Sequence, residues 1–230
     1  MMSHMFGFGD KKDDQKNVPV KLDSGPMGSS ALGFAEKLLQ VGIDGKGSFD
    51  SAQKIAAKAL QDSGGDQEKA IKEIVSDTRR LAAANGFVTG LGGFVTMAVA
   101  LPANVAGFYL LSTRMVAAVA HIRGYDLRDP SLRSAILLTL VGADANDIIN
   151  KAGVVATGRL AGMAAQQLPP PVLMVVNKAV GFRLIGQVGE KVATRLGKAI
   201  PFAGGFIGAG MDSWMLHKVA KNAAEQFPRR

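Results

Sequence analysis

The stretch NGFVTGLGGFVTMAVALPANVAGFYLLSTR, from Asn85 to Arg114, decides the fold. It lies within residues 81–113, which carry no charged side chain although 20% of the chain is charged. A bilayer core of about 30 Å requires roughly 20 apolar residues in helical form, so this run is long enough to cross a membrane. Its composition argues against a span, because its glycines weaken a helix, Pro102 removes a backbone donor and Asn104 needs a hydrogen-bonding partner. We expect a buried, Gly/Ala-rich central helical pair, with a transmembrane hairpin or shallow membrane insertion as the alternatives.

Helical spacing extends through most of the remaining chain. Residues 66–85 place apolar side chains three and four positions apart on one face, which predicts an amphipathic helix. Asp129 is a favourable N-cap, and Pro130 suits the first helical position. Further helices are predicted over residues 29–40, 52–61, 144–168, 172–200 and 206–226. No segment alternates polar and apolar residues as a strand would, so the fold class is all-α, a single globular bundle of about eight or nine helices.

Several glycines and prolines mark where helices end or pack closely. The proline run at 169–171 is expected to stop a helix, and Gly181, Gly186 and Gly189 are candidates for a bend or break in the next one. GxxxG spacings, which allow close approach of helices, occur at 86/90, 158/162 and 204/208. The residues predicted to support close packing are Gly92, Gly93, Pro102, Gly204, Gly205 and Gly208.

The composition divides the chain and excludes several chemistries. Residues 1–28 lack a periodic apolar pattern and are predicted to be a disordered tail, whereas residues 29–230 form the helical domain. The chain contains no cysteine, which excludes disulfides, thiol nucleophiles and thiolate metal sites and fits a reducing compartment. The N-terminus lacks the long apolar core of a signal peptide. We therefore expect a cytoplasmic protein.

The positive charge is concentrated in the last third of the chain. The net charge is +8, and residues 151–230 hold all of this excess, with Glu190, Asp212 and Glu225 as their only acids. An anionic membrane surface and nucleic acid are the two partners that such charge suggests. Nucleic acid is disfavoured because dense basic runs and aromatic stacking residues are missing. The predicted lipid-binding residues form a basic stripe: Lys191, Arg195 and Lys198.

Arg114 ends the uncharged run and raises the question of its partner. A buried guanidinium needs a carboxylate, because an unpaired interior charge costs several kcal/mol. Asp212 is the preferred partner, since it ends a second apolar, Gly-rich segment, and Asp144 and Asp147 are alternatives. His121 and Asp126 lie close enough in sequence to extend a buried polar network. We favour a structural network over acid–base catalysis, because no nucleophile or metal-ligand motif accompanies these residues.

Specific cofactor motifs are missing from the glycine-rich loops. The stretch GIDGKGSFD lacks the GxxxxGK[ST] spacing of a phosphate-binding loop and the ligand pattern of a calcium loop. The stretch PFAGGFIGAG does not follow a strand, as a dinucleotide-binding loop would. No cofactor and no metal are therefore expected.

Four blocks, in order, carry a resemblance to a known family. They are GFVTGLGGFVTMAVALPANVAGFYLLSTRMVAAVAHIRGYD (86–126), DPSLRSAILLTLVG (129–142), VNKAVGFRLIGQVGEK (176–191) and KAIPFAGGFIGAGMDSWMLHKVAKNAAEQF (198–227). From Ser29 onward the chain resembles the EcsC family of bacterial proteins. The resemblance implies a cytoplasmic, largely helical domain with a membrane connection, and it implies no set of catalytic residues.

These observations lead to three hypotheses about function. We favour a non-enzymatic protein that is peripheral at the inner face of the membrane and binds anionic lipid or an acyl chain through its basic final third and apolar interior. The second hypothesis is an enzyme that uses Arg114, His121 and Asp126. The third is a soluble module that docks on a protein partner. The sequence leaves the oligomeric state open.

Overall fold

The computed structural model describes residues 26–83, 103–155, 158–196 and 204–230, with side chains except at Pro26, 103–104, 187–196 and 204–213. The α-helices in these ranges are α1 (Pro26–Lys37), α2 (Ala52–Asp62), α3 (Gln67–Ala83), α4 (Ala103–Ile122), α5 (Pro130–Val141), α6 (Ala145–Lys151), α7 (Leu160–Ala165), α8 (Pro170–Leu196) and α9 (Gly204–Gln226). Across the described residues no strand forms, and Lys46 and Phe49 make an isolated β-bridge. The predicted all-α helical bundle is confirmed.

Local capping explains where several helices begin and end. The Ser51 side chain accepts a hydrogen bond from the Lys54 backbone N–H at 3.2 Å and so caps α2. After α2, Gly64 and Gly65 adopt φ values of 62° and 84°, which reverse the chain before α3. Asp129 caps α5 by accepting the Ser131 N–H at 2.8 Å, and α5 then begins at Pro130 as the sequence predicts.

The first helix is longer than predicted at both ends. It begins at Pro26, so it includes residues assigned to the predicted tail, whose other residues, 1–25, lie outside the described part of the chain. It continues into a π-helical segment, Leu38–Ile43, which packs against α4. Gly42 permits this approach, because an added Cβ there would lie 2.8 Å from the Thr113 side chain.

The predicted helix over residues 144–168 is wrong in its middle. The chain forms α6 and α7 instead, separated by a loop in which Gly153 and Gly158 have φ values of 73° and 80°. These left-handed conformations end α6 and precede α7, so the spacing of Gly158 and Gly162 does not lie within one helix. Of the prolines at 169–171, Pro169 precedes α8, whereas Pro170 and Pro171 lie in its first turn, where proline is tolerated.

Helix α8 does not divide at its glycines. It is continuous from Pro170 to Leu196 and therefore includes Gly181, Gly186 and Gly189. At Gly181 the backbone of α1 comes so close that an added Cβ would collide with the carbonyl oxygen of Ala31. Gly181 therefore permits close packing of α1 on α8.

Helix α4 forms the centre of the described domain. Helices α2, α3, α5 and α9 all contact it, and 83% of residues 105–122 are buried. This segment is long and apolar enough to cross a membrane by length and composition, but a buried core helix has the same properties. The other half of the predicted central pair, with Gly92, Gly93 and Pro102, lies outside the described residues.

Candidate functional site

Arg114 lies in the core on α4. The residue is 6% exposed, and its guanidinium carbon is 4.0 Å from the centre of the Phe49 ring, which gives a cation–π contact. Burial lowers the pKa of Arg114 to about 10, and the charge of Asp50 opposes this shift. Within the described residues its Nε has no hydrogen-bond partner. The contact with the Phe49 ring is a feature that the sequence analysis missed.

The carboxylates predicted as partners of Arg114 lie at different places in the fold. Asp144 accepts a hydrogen bond from Nε of Arg183 at 2.6 Å, and Asp147 pairs with Lys151 at 2.9 Å. These two alternatives are therefore engaged elsewhere. Asp212 belongs to α9 by its backbone, but its side chain lies outside the description, so its pairing with Arg114 stays a prediction.

His121 and Asp126 occupy the end of α4 and the turn after it. The Nδ1 atom of His121 is buried, with no hydrogen-bond partner within the described part of the chain. The Asp126 side chain is 53% exposed and forms an ion pair with Arg128 at 2.8 Å. Asp126 is therefore not a member of a buried network, because the turn after α4 places its carboxylate at the surface beside Arg128.

The Asp126–Arg128 pair gives a pH-dependent prediction. Hydrogen bonds from the Arg128 side chain and backbone N–H lower the pKa of Asp126 from 3.8 to about 2. Because the folded-state pKa is depressed, the stabilisation is present above 3.8 and is lost as the pH falls through about 2. We expect Arg128→Met to raise the Asp126 pKa by a small amount, as measured by carboxyl ¹³C NMR titration, because water screens this exposed pair and the backbone N–H still donates. The pKa of Asp66, lowered mainly by a backbone hydrogen bond from Lys69, should stay unchanged.

A cleft of about 610 Å³ lies among α5, α6, α7 and α9, and we call it the α9 cleft. Its size falls in the range of about 300–1,000 Å³ that is usual for small-molecule sites. Aliphatic and thioether side chains supply much of its surface: Leu140, Ile149, Leu160, Met163, Met215 and Val219. Its surface is therefore largely apolar, although it lies open at the edge of the domain.

Three polar side chains that line the α9 cleft already bind protein groups. Asn222 donates from Nδ2 to the Thr139 carbonyl oxygen at 3.1 Å. Gln226 accepts the Leu160 backbone N–H at 2.8 Å, which satisfies a donor in the first turn of α7. The Thr139 hydroxyl donates to the Ala135 carbonyl oxygen at 3.0 Å. These side chains hold α5, α7 and α9 together.

Two cationic residues and a tryptophan complete the α9 cleft. Arg159 and Lys218 contribute to its lining, and no aspartate or glutamate is found among the described lining residues. Trp214 is the chain's single tryptophan and is 57% exposed. The Lys218 ammonium lies 3.7 Å from the centre of the Trp214 ring. The cleft therefore combines apolar walls with positive charge.

The predicted lipid-binding residues lie on α8 and after it in the sequence. The backbone of Lys191 and Arg195 belongs to α8, but their side chains are outside the described part of the structure. Lys198 is outside it entirely. Gly204, Gly205 and Gly208 lie on α9, and their packing contacts are likewise outside the described part of the structure. One available signal for the α9 cleft was the spacing of Trp214 and Lys218, which puts a lone tryptophan and a lysine one helical turn apart.

Comparison with known proteins gives a family but no individual relative. The EcsC protein family matches residues 35–230. No curated protein and no solved structure matches the chain. The family match begins within α1, so Ala31, which contacts α8, precedes it. Among the described residues, no group of three His, Asp or Glu side chains is arranged to hold a metal ion.

Proposed function

The chain belongs to the EcsC family, and we propose that it is a non-enzymatic, peripheral membrane protein that binds anionic lipid at the cytoplasmic face. The observation that carries this proposal is the exposed Trp214 beside Lys218 at the cationic, apolar α9 cleft. Tryptophan favours the membrane–water interface, where its ring meets acyl chains and its N–H meets headgroups. A lysine at the same depth binds anionic headgroups.

The loop between α6 and α7 also exposes an apolar side chain. Val155, in the loop between α6 and α7, is 74% exposed, and residues farther along that loop line the α9 cleft. Its carbonyl oxygen accepts a hydrogen bond from Gln166 Nε2 at 3.1 Å, which anchors the loop while the side chain faces solvent. The loop that contributes Gly158 and Arg159 to the cleft therefore also presents an apolar side chain to water.

The enzyme hypothesis has less support from the geometry. Arg114 packs on the Phe49 ring, and Asp126 binds Arg128 at the surface. None of Arg114, His121 and Asp126 lines the α9 cleft. The three residues therefore share no described site in which a substrate could meet all of them.

Liposome flotation tests the proposed membrane binding. We expect the protein to float with vesicles of phosphatidylcholine and phosphatidylglycerol at low salt, and to bind much less to phosphatidylcholine alone or at high salt. A basic residue near an anionic surface contributes about 1 kcal/mol, so Lys218→Glu, which reverses one charge, should weaken binding by at least about tenfold. Trp214→Ala should weaken binding to the same vesicles more than Lys218→Glu does.

The matched control is Lys58→Glu on α2. Lys58 is exposed and undergoes the same charge reversal, but α2 contributes no residue to the α9 cleft. It should leave flotation close to that of the unchanged protein. If both variants lost the same amount of binding, the loss would be explained by net charge alone. Flotation that does not depend on lipid charge or on salt would overturn the proposal. Binding to a cellular protein after membranes are removed, without flotation, would instead support the interaction-module hypothesis.

A further inference from the structure

We infer that the α9 cleft holds the aliphatic chain of a single anionic amphiphile, whose headgroup is bound by Lys218. This inference rests on the proposed membrane function and deepens it, because it names the ligand class and the site. It concerns the binding of one molecule, whereas flotation reports attraction to a surface.

Hydrogen bonding in the cleft favours an aliphatic occupant. The Asn222 amide nitrogen donates to Thr139, and its oxygen is 3.5 Å from Gln226 Nε2. The Gln226 oxygen accepts from Leu160 N–H, and the Thr139 hydroxyl donates to Ala135. Asn146 adds one exposed amide to the lining. A sugar or a nucleobase would still bury several hydroxyl or amide groups there, and each group without a partner would cost binding free energy. An alkyl chain requires no hydrogen bonds and gains from leaving water.

Charge in the cleft determines the kind of headgroup. Arg159 precedes the first residue of α7, and Lys218 lies one turn after Trp214 on α9. No described carboxylate lines the cleft, so an anionic group there would be attracted by the Lys218 ammonium without repulsion from a described negative charge. A phosphate or carboxylate attached to the chain therefore matches the cleft, and a neutral headgroup does not.

Trp214 provides a direct probe of the cleft. It is the chain's single tryptophan, it lines the cleft and it is largely exposed to water. An alkyl chain beside the indole ring would replace water with hydrocarbon. Fluorescence emission from the unmodified chain should then shift to shorter wavelength on binding, with no competing signal from another tryptophan in it.

The experiment uses monomeric ligands in the absence of membranes. Dodecyl phosphate, 1-dodecanol and inorganic phosphate are titrated below the micelle concentration of dodecyl phosphate, and binding is followed by Trp214 emission and by calorimetry. We expect one dodecyl phosphate to bind per protein, at least about fivefold more tightly than dodecanol, since one basic contact contributes about 1 kcal/mol. Inorganic phosphate should not shift the emission. If inorganic phosphate bound as tightly as dodecyl phosphate, the assignment of the alkyl chain to the cleft would be overturned.

Two variants distinguish binding of the alkyl chain from binding of the headgroup. Lys218→Met should weaken dodecyl phosphate binding about fivefold and leave dodecanol binding nearly unchanged, because it removes one charge. Val219→Phe narrows the cleft and should weaken both ligands. Val75→Phe is the control, because Val75 is half-buried on α3 and does not line the cleft. Unchanged circular dichroism and thermal midpoints identify the folded variants.

The two proposals fail in different ways. Charge-dependent flotation without binding of monomeric dodecyl phosphate would leave the membrane proposal standing and overturn the cleft inference. Saturable binding of dodecyl phosphate that Val219→Phe removes, without flotation, would support the cleft site and refute membrane docking. Binding that neither Lys218→Met nor Val219→Phe alters would place the amphiphile elsewhere and overturn the inference.

Discussion

Replacing Gly181 with alanine should lower the free energy of unfolding by about 3 kcal/mol, at the upper end of the range for overpacked cores. Gly181 is buried on α8, and a Cβ there would collide with the Ala31 carbonyl oxygen of α1. The obstacle is backbone, so a side-chain rotation cannot relieve it, and α1 must move away from α8. Urea denaturation of the full chain would measure the loss as a lower midpoint with a similar slope.

Gly186→Ala is the matched control in the same helix. Gly186 is exposed, and an added Cβ there meets no atom within 4 Å. Alanine is favoured over glycine within a helix by about 1 kcal/mol, so this variant should be slightly more stable than the unchanged chain. If Gly181→Ala and Gly186→Ala had the same effect, close packing of α1 on α8 would not explain the need for glycine at 181.

The sequence predicts features that depend on residues close together in the chain. Asp129 and Pro130 mark the start of α5, and the apolar spacing of residues 66–85 identifies α3. Gly181 shows the limit, because a glycine within a helix is compatible both with a break and with close packing. Only the position of Ala31 on another helix, about 150 residues earlier in sequence, distinguishes the two.

The candidate site was less predictable for the same reason. The burial of Arg114 follows from the uncharged run before it, but its contact with Phe49 depends on the packing of the loop before α2 against α4. The α9 cleft is assembled from α5, α6, α7 and α9, and no local pattern specifies that arrangement. The break between α6 and α7 also shapes the cleft, and the continuous helical spacing of residues 144–168 concealed it.

Arg133→Met should destabilise the domain by about 1.5–3 kcal/mol, the range for hydrogen bonds that involve charged groups. The Arg133 guanidinium binds both carboxylate oxygens of Asp44, at 2.9 and 2.6 Å. It also donates to the carbonyl oxygens of Leu127 and Leu39, each at 3.3 Å. One side chain thus joins α5 to the turn before it and to the π-helical segment. Methionine would keep much of the stem's packing but leave these acceptors without their donor.

Arg128→Met controls for loss of an arginine in the neighbouring turn. Arg128 is 86% exposed and pairs with Asp126 two residues away, so its removal should leave the urea midpoint nearly unchanged. A double-mutant cycle with Asp44→Asn then measures the free energy of coupling between Arg133 and Asp44. Coupling of about 1 kcal/mol or more would show that the pair fastens the π-helical segment to α5, since an exposed pair typically contributes less. Coupling near zero would mean that the stability lost in Arg133→Met comes from the two carbonyl contacts and from packing.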